Sequence, residues 1–142
     1  MEPRTRRVWR CPLIALCGIL LPACGVSVER PGESGTEWIS KAEFRDYAGR
    51  VLRRQNAVAS ELIFRLPEIE KQDPERYRRL LVAEDQLLDA CGLLIESTRQ
   101  RRRGGGLDSS ARRKLPEQTV ECDRQTRRLE RMLEQKALDA EE

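Results

Sequence analysis

Apolar residues recur at helical spacing in three stretches of the chain. Phe44, Ala48, Val51, Gln55, Val58, Leu62 and Leu66 follow one another three or four positions apart, which sets them on one face of a helix. Ser40 and Glu43 stand at its start as a capping box, the serine oxygen accepting from a first-turn N–H and the glutamate reaching back to the cap. Trp38 and Ile39 just before can pack onto that turn. Pro67 lacks a backbone donor and crowds the preceding turn, so the helix is predicted over 41–66. Asp73-Pro74-Glu75 opens a second helix, with the aspartate as cap and the proline in first position. Its stripe, Tyr77, Leu80, Leu81, Glu84, Leu87, Leu88, Cys91, Leu94, Ile95 and Thr98, is wide enough to face two neighbours over 74–101. Gly104-Gly105-Gly106 breaks the helix, and Ser109 or Ser110 can cap a short turn. Pro116 opens a third helix over 116–139, whose seam is Leu115, Thr119, Cys122, Thr126, Leu129, Leu133 and Ala137. Gln55 and Glu84 interrupt these stripes and read as boundary positions or interhelical hydrogen bonds, in preference to the lips of a partner groove.

The first residues follow a different pattern. Arg4, Arg6, Arg7 and Arg10 precede an unbroken apolar run from Pro12 to Ala23. A basic start and about twelve apolar residues make a secretory signal, too short for a spanning helix of about 20 residues. The run closes on Leu21-Pro22-Ala23-Cys24, which resembles the lipobox of bacterial lipoprotein precursors: an aliphatic residue, a small residue, then cysteine. The resemblance covers residues 1–25 and no more. It implies that Cys24 receives a diacylglyceryl group on sulfur, that a dedicated peptidase removes residues 1–23, and that the new amino group takes a further acyl chain such as palmitate. Gly25 stands where an aspartate would favour the inner membrane, so the resemblance implies the outer membrane, with the body facing the periplasm. Residues 24–36, rich in Gly, Pro and Ser, read as the lipidated cysteine and a flexible linker ahead of a helical domain over 37–142. Its eleven residues from Gly25 to Gly35 span about 36 Å when extended, enough to hold the domain off the membrane.

Of the five cysteines, Cys11 and Cys17 leave with the signal and Cys24 takes the lipid. Cys91 and Cys122 remain in an oxidising compartment. They lie equally far from the point between Gly106 and Leu107. In a helical hairpin turning at the glycines they face each other, as Leu80 faces Leu133 and Leu81 faces Met132. A Cys91–Cys122 disulfide is therefore expected. The predicted fold class is all-α, a disulfide-stapled three-helix antiparallel bundle or elongated hairpin.

Composition narrows the chemistry. The 142 residues contain no His, and aromatics make up 4%. Ser–His and Cys–His catalysis are thereby excluded, and no Cys-x-x-Cys or Gly-Lys-Ser/Thr motif marks a metal, redox or phosphate loop. Acidic pairs such as Glu84 with Asp85 or Asp89 read as a solvated face. No enzyme, cofactor or metal is expected. Four of the 27 basic and one of the 24 acidic residues precede Cys24, which leaves 23 of each in residues 24–142. The basic precursor thus matures to a neutral chain, and nucleic acid is not an expected partner.

One patch departs from that balance. Arg99, Arg101, Arg102, Arg103, Arg112, Arg113 and Lys114 bracket the glycines, opposed there by Asp108 alone. They read either as a solvated turn whose arginines satisfy the carbonyls ending the second helix, or as a contact for lipid head groups, lipopolysaccharide phosphates or an acidic partner. The second helix is about 42 Å long, so this tip can stand far from the anchor. The expected function is binding or scaffolding in the cell envelope, in one form an assembly or pilot lipoprotein with an envelope protein partner. The alternatives are a self-associating envelope spacer and, remotely, a cytoplasmic Arg-rich nucleic-acid binder.

Overall fold

A computed structural model describes residues 25–29, 31–32 and 35–139, with side chains described as far as Gln135. Five elements follow in order: β1 Gly25–Val28, β2 Glu37–Ser40, α1 Lys41–Gln72, α2 Pro74–Arg102 and α3 Ser109–Asp139. The three helices pack on one another, α2 and α3 most extensively. An all-α three-helix bundle is the frame, with one small addition at its N-terminus.

That addition replaces the expected linker. β1 and β2 pair antiparallel, Gly25 with Ser40, Val26 with Ile39, Ser27 with Trp38 and Val28 with Glu37. Side chains alternate across a strand, so Val26, Val28 and Ile39 turn onto the helices while Ser27 and Trp38 face out. Val28 and Ile39 belong to the main hydrophobic core. Burial of these two side chains gives an otherwise marginal two-stranded hairpin its support. Gly25 is therefore part of the folded body.

α1 starts as expected. The Ser40 Oγ accepts from the Glu43 N–H at 3.2 Å, and a Glu43 carboxylate oxygen accepts from the Ser40 N–H at 2.7 Å. The helix does not stop at Pro67 but runs through it to Gln72. Pro67 is exposed, so the carbonyl it leaves unpaired faces water, while Ile69 beyond it returns to the core. Asp73 caps α2, its Oδ1 accepting from the Arg76 N–H at 2.9 Å. α3 begins at Ser109, a full turn and more ahead of Pro116, because Asp108 caps it: its Oδ1 accepts from the N–H groups of Ser110 and Ala111.

The seams hold with shifted edges. α1 buries Tyr47, Val51, Gln55, Val58, Leu62 and Ile69, with Phe44 and Leu66 at the border. α2 buries Leu80, Ala83, Leu87, Ala90, Cys91 and Leu94. The small Ala83 and Ala90 sit on one edge of this arc, and Leu81 and Leu88 on the other edge stay 37% and 50% exposed. Leu80 and Leu133 are both buried, as their opposition in the hairpin requires. In α3, Thr119 and Thr126 are fully buried and donate at 2.7 Å to the carbonyls of Leu115 and Cys122, one turn back. That internal bond lets a hydroxyl sit in an aliphatic core.

Candidate functional site

The α2–α3 turn carries the basic patch and is closed by the backbone. The Arg103 N–H donates to the Arg99 and Gln100 carbonyls, Gly104 to Arg101, and Gly105 to Gln100. Gly104 has a φ of 75°, in the left-handed region that ends helices. The last carbonyls of α2 are thus met by main-chain N–H groups, not by the arginine side chains. Of the seven basic residues, Arg99 pairs with Glu96 at 3.2 Å and Arg112 donates to the Leu107 carbonyl at 3.0 Å. Arg101, Arg102, Arg103, Arg113 and Lys114 are exposed, with no ion pair among the described residues. Five cations at or beside this turn are free to meet an anion.

The position of this tip differs from the expectation that it stands far from the N-terminus. α1 runs away from the hairpin, α2 returns and α3 runs out again. α1 and α3 are thus parallel, shown by contacts from Tyr47 to Asp123 at one level and from Arg65 to the Leu133 carbonyl further along. Ser109 lies 14 residues before Asp123 and Lys41 lies six before Tyr47. Both helix starts also lie 24 residues before the second pair, Arg65 and Leu133, so at 1.5 Å per residue the start of α3 stands between level with the start of α1 and about 12 Å beyond it. Arg113 and Pro116 share a cleft with Val26, Ser27 and Thr36 of the hairpin segment. The basic tip and Gly25 occupy one end of the bundle.

Trp38 marks the same end. Its side chain is 61% exposed, and its indole lies over Gly25. A Cβ at Gly25 would come within 2.5 Å of the indole Nε1 and 2.6 Å of the Ile39 carbonyl oxygen. Glycine is required there by close approach. Cys24 and the leader, residues 1–23, lie outside the described residues.

Cys91 and Cys122 are disulfide-bonded and fully buried in the α2–α3 seam. Gln55 is buried at 5% exposure, and its Oε1 has no hydrogen-bond partner. It is neither a boundary residue nor a lip of an open groove. Glu84 is half-buried on α2, at the margin of the seam.

A polar cluster between α1 and α3 escaped the stripe pattern. Asp123, 1% exposed, accepts from the Tyr47 hydroxyl at 3.1 Å and from Arg127 Nε at 3.1 Å, with Arg54 at 3.5 Å. Arg54 and Arg127 keep 41% and 39% of their side chains open. They line a cleft of about 440 Å³ with Arg50, Arg53 and Pro31. Asp123 spends its charge inside the fold, joining the two parallel helices. The i, i+4 spacing of Asp123 and Arg127 was visible in the sequence, but nothing there pointed to Tyr47, 76 residues away.

Among the described residues no group of three or more acidic or cysteine side chains is placed to hold a metal ion. No helix among them is long and apolar enough to cross a membrane. No protein-family model matches the chain, and neither curated proteins nor solved structures give a match.

Proposed function

We propose that the chain is a lipid-anchored protein of the bacterial cell envelope that presents a rigid helical body as a binding or scaffold element. Acyl chains on Cys24 hold it, in the outer membrane facing the periplasm, since Gly25 carries no retention aspartate. The observation that carries this reading is Leu21-Pro22-Ala23-Cys24, which closes a basic-then-apolar leader directly ahead of strand β1. Two or three acyl chains hold far more firmly than the single chain that binds reversibly. The Cys91–Cys122 pairing supports export, because disulfides persist in oxidising compartments. A body with no His and a rigid scaffold of three long helices suits holding a component of a membrane complex, as an assembly or pilot lipoprotein does.

The test is Cys24→Ser in a bacterium with two membranes. The parent protein is expected in the outer-membrane fraction, acylated and without residues 1–23, and the variant outside that fraction as an unacylated precursor that keeps its leader. Equal outer-membrane retention of the two would overturn the reading.

A second reading draws on one observation. Leu81 and Leu88 are exposed one above the other along α2, with the exposed Val82 beside them around the helix, which suits a spacer that associates with its own copies. Sedimentation of the protein over a hundredfold concentration range separates the two: a spacer's mass rises with concentration, and a scaffold's stays that of one chain.

A further inference from the structure

We infer that the end of the bundle bearing Gly25 docks on the phosphate groups of the membrane that holds the anchor, with Trp38 at the interface and Arg101, Arg102, Arg103, Arg113 and Lys114 on the head groups. This rests on the anchored reading above and adds what the body does once tethered. Three observations of different kinds meet at this end.

The first is topology. Gly25 is locked to Ser40, the cap of α1, so an anchor on Cys24 has no linker to separate it from the bundle. The α2–α3 turn lies on the same side, at or beyond the level of the start of α1. Any orientation that brings Gly25 to the membrane brings the tip to it as well.

The second is charge. Residues 24–142 are balanced at 23 basic and 23 acidic, so the chain as a whole has no pull toward an anionic surface. The attraction comes from the local excess at one end, which orients the bundle. The guanidinium groups there are free because main-chain N–H groups already satisfy the α2 carbonyls. A planar guanidinium matches the oxygens of a phosphate in two parallel bonds.

The third is Trp38. An exposed tryptophan costs a soluble surface, yet it sits over Gly25, one residue from the acylated position. Tryptophan is enriched where its apolar ring and polar N–H meet the head-group layer. A body clear of the surface offers no such environment.

Trp9 leaves with the signal, so Trp38 is the sole tryptophan of residues 24–142 and reports this end directly. The acylated protein is placed in vesicles of phosphatidylcholine alone or mixed with phosphatidylglycerol. A parallel set carries bromine on the acyl chains close to the head group. Flotation reports the anchor, and Trp38 emission reports docking. The protein is expected to float with both kinds of vesicle. With phosphatidylglycerol, Trp38 should shift to the blue, resist acrylamide and be quenched by bromolipid. Raising salt from 0.1 to 1 M shortens screening from about 10 to about 3 Å, and should reverse the phosphatidylglycerol-specific part while flotation is unchanged.

The variant Arg101→Glu/Arg102→Glu/Arg103→Glu, with helicity checked by circular dichroism, should float yet lose the quenching. Its docked-to-undocked ratio is expected to fall by at least about fivefold for each arginine replaced. A floating protein whose Trp38 is as open to acrylamide with phosphatidylglycerol as without it would overturn the docking and leave the anchor standing. A protein that does not float overturns the anchored reading itself. An equal response of Trp38 to soluble glycerol phosphate alone would assign the tip to free phosphate, and would also overturn the docking.

Discussion

Reducing the Cys91–Cys122 disulfide tests how much of this bundle's stability comes from constraining its unfolded chain. The two cysteines are 31 residues apart and close a loop made of the second half of α2, the turn and the first half of α3. In the chain-entropy account, opening a loop of that length costs about 3.7 kcal/mol at 25 °C. Domains of this size are stable by about 5–15 kcal/mol, so a quarter or more of the total is at stake. For roughly 115 ordered residues the unfolding entropy is about 0.24 kcal/mol/K, which converts the loss to a fall of about 15 °C in Tm. The assay is urea unfolding followed by helical circular dichroism, with and without phosphine reductant. At slopes of about 1–3 kcal/mol/M the midpoint falls by about 1–4 M. The slope should also steepen on reduction, because the unfolded chain, released from its loop, exposes more surface. The variant Cys91→Ala/Cys122→Ala should unfold near the reduced protein. A stability loss below about 1 kcal/mol with an unchanged slope would refute this reasoning and assign the cysteines a role in packing alone.

Other expectations follow from single positions. Asp123→Ala should cost about 2–3 kcal/mol in urea unfolding, less than the 3–5 of a fully buried pair, because Arg54 and Arg127 are half-open and can turn to water. Asp123→Asn, which keeps an acceptor for Tyr47, should cost less than the alanine. Leu129→Ala, at a fully buried α3 position, should lower stability by about 2–5 kcal/mol, read from the same unfolding curves. Gly25→Ala brings a Cβ against Trp38 and the Ile39 carbonyl, and should open the β1–β2 hairpin at its first pair; amide exchange at Val26 and Ile39 rising while α3 stays protected is the expected sign.

The long elements were legible because each carries its own periodicity and caps. Ser40 with Glu43 and Asp73 with Pro74 mark helix starts by local chemistry alone, and both operate as expected. The disulfide was legible because symmetry about the glycine turn and membership of two apolar seams agree. The hairpin was missed because its strands are four residues each, and because Gly, Pro and Ser between them imitate a linker. Only Val28 and Ile39, packing on helices formed later in the chain, decide it. Pro67 and Pro116 misplaced two boundaries for a related reason: a proline removes one hydrogen bond, and packing of Ile69 beyond the first, and the Asp108 cap with packing of Leu115 ahead of the second, outweigh that loss. The basic tip was legible as composition, but its placement was not. Direction along the bundle depends on the number of helices before it, and the strand pairing brings Gly25 to the same end.

The intact mass of the protein taken from its native membrane fraction, without reductant, tests the central claim most directly. The account predicts a chain that begins at Cys24, carries two or three acyl chains there, and is two hydrogens lighter than its reduced form. A full-length, unacylated mass that retains Met1 or any part of the leader would contradict it, and would leave the Arg-rich tip facing some anion other than a membrane.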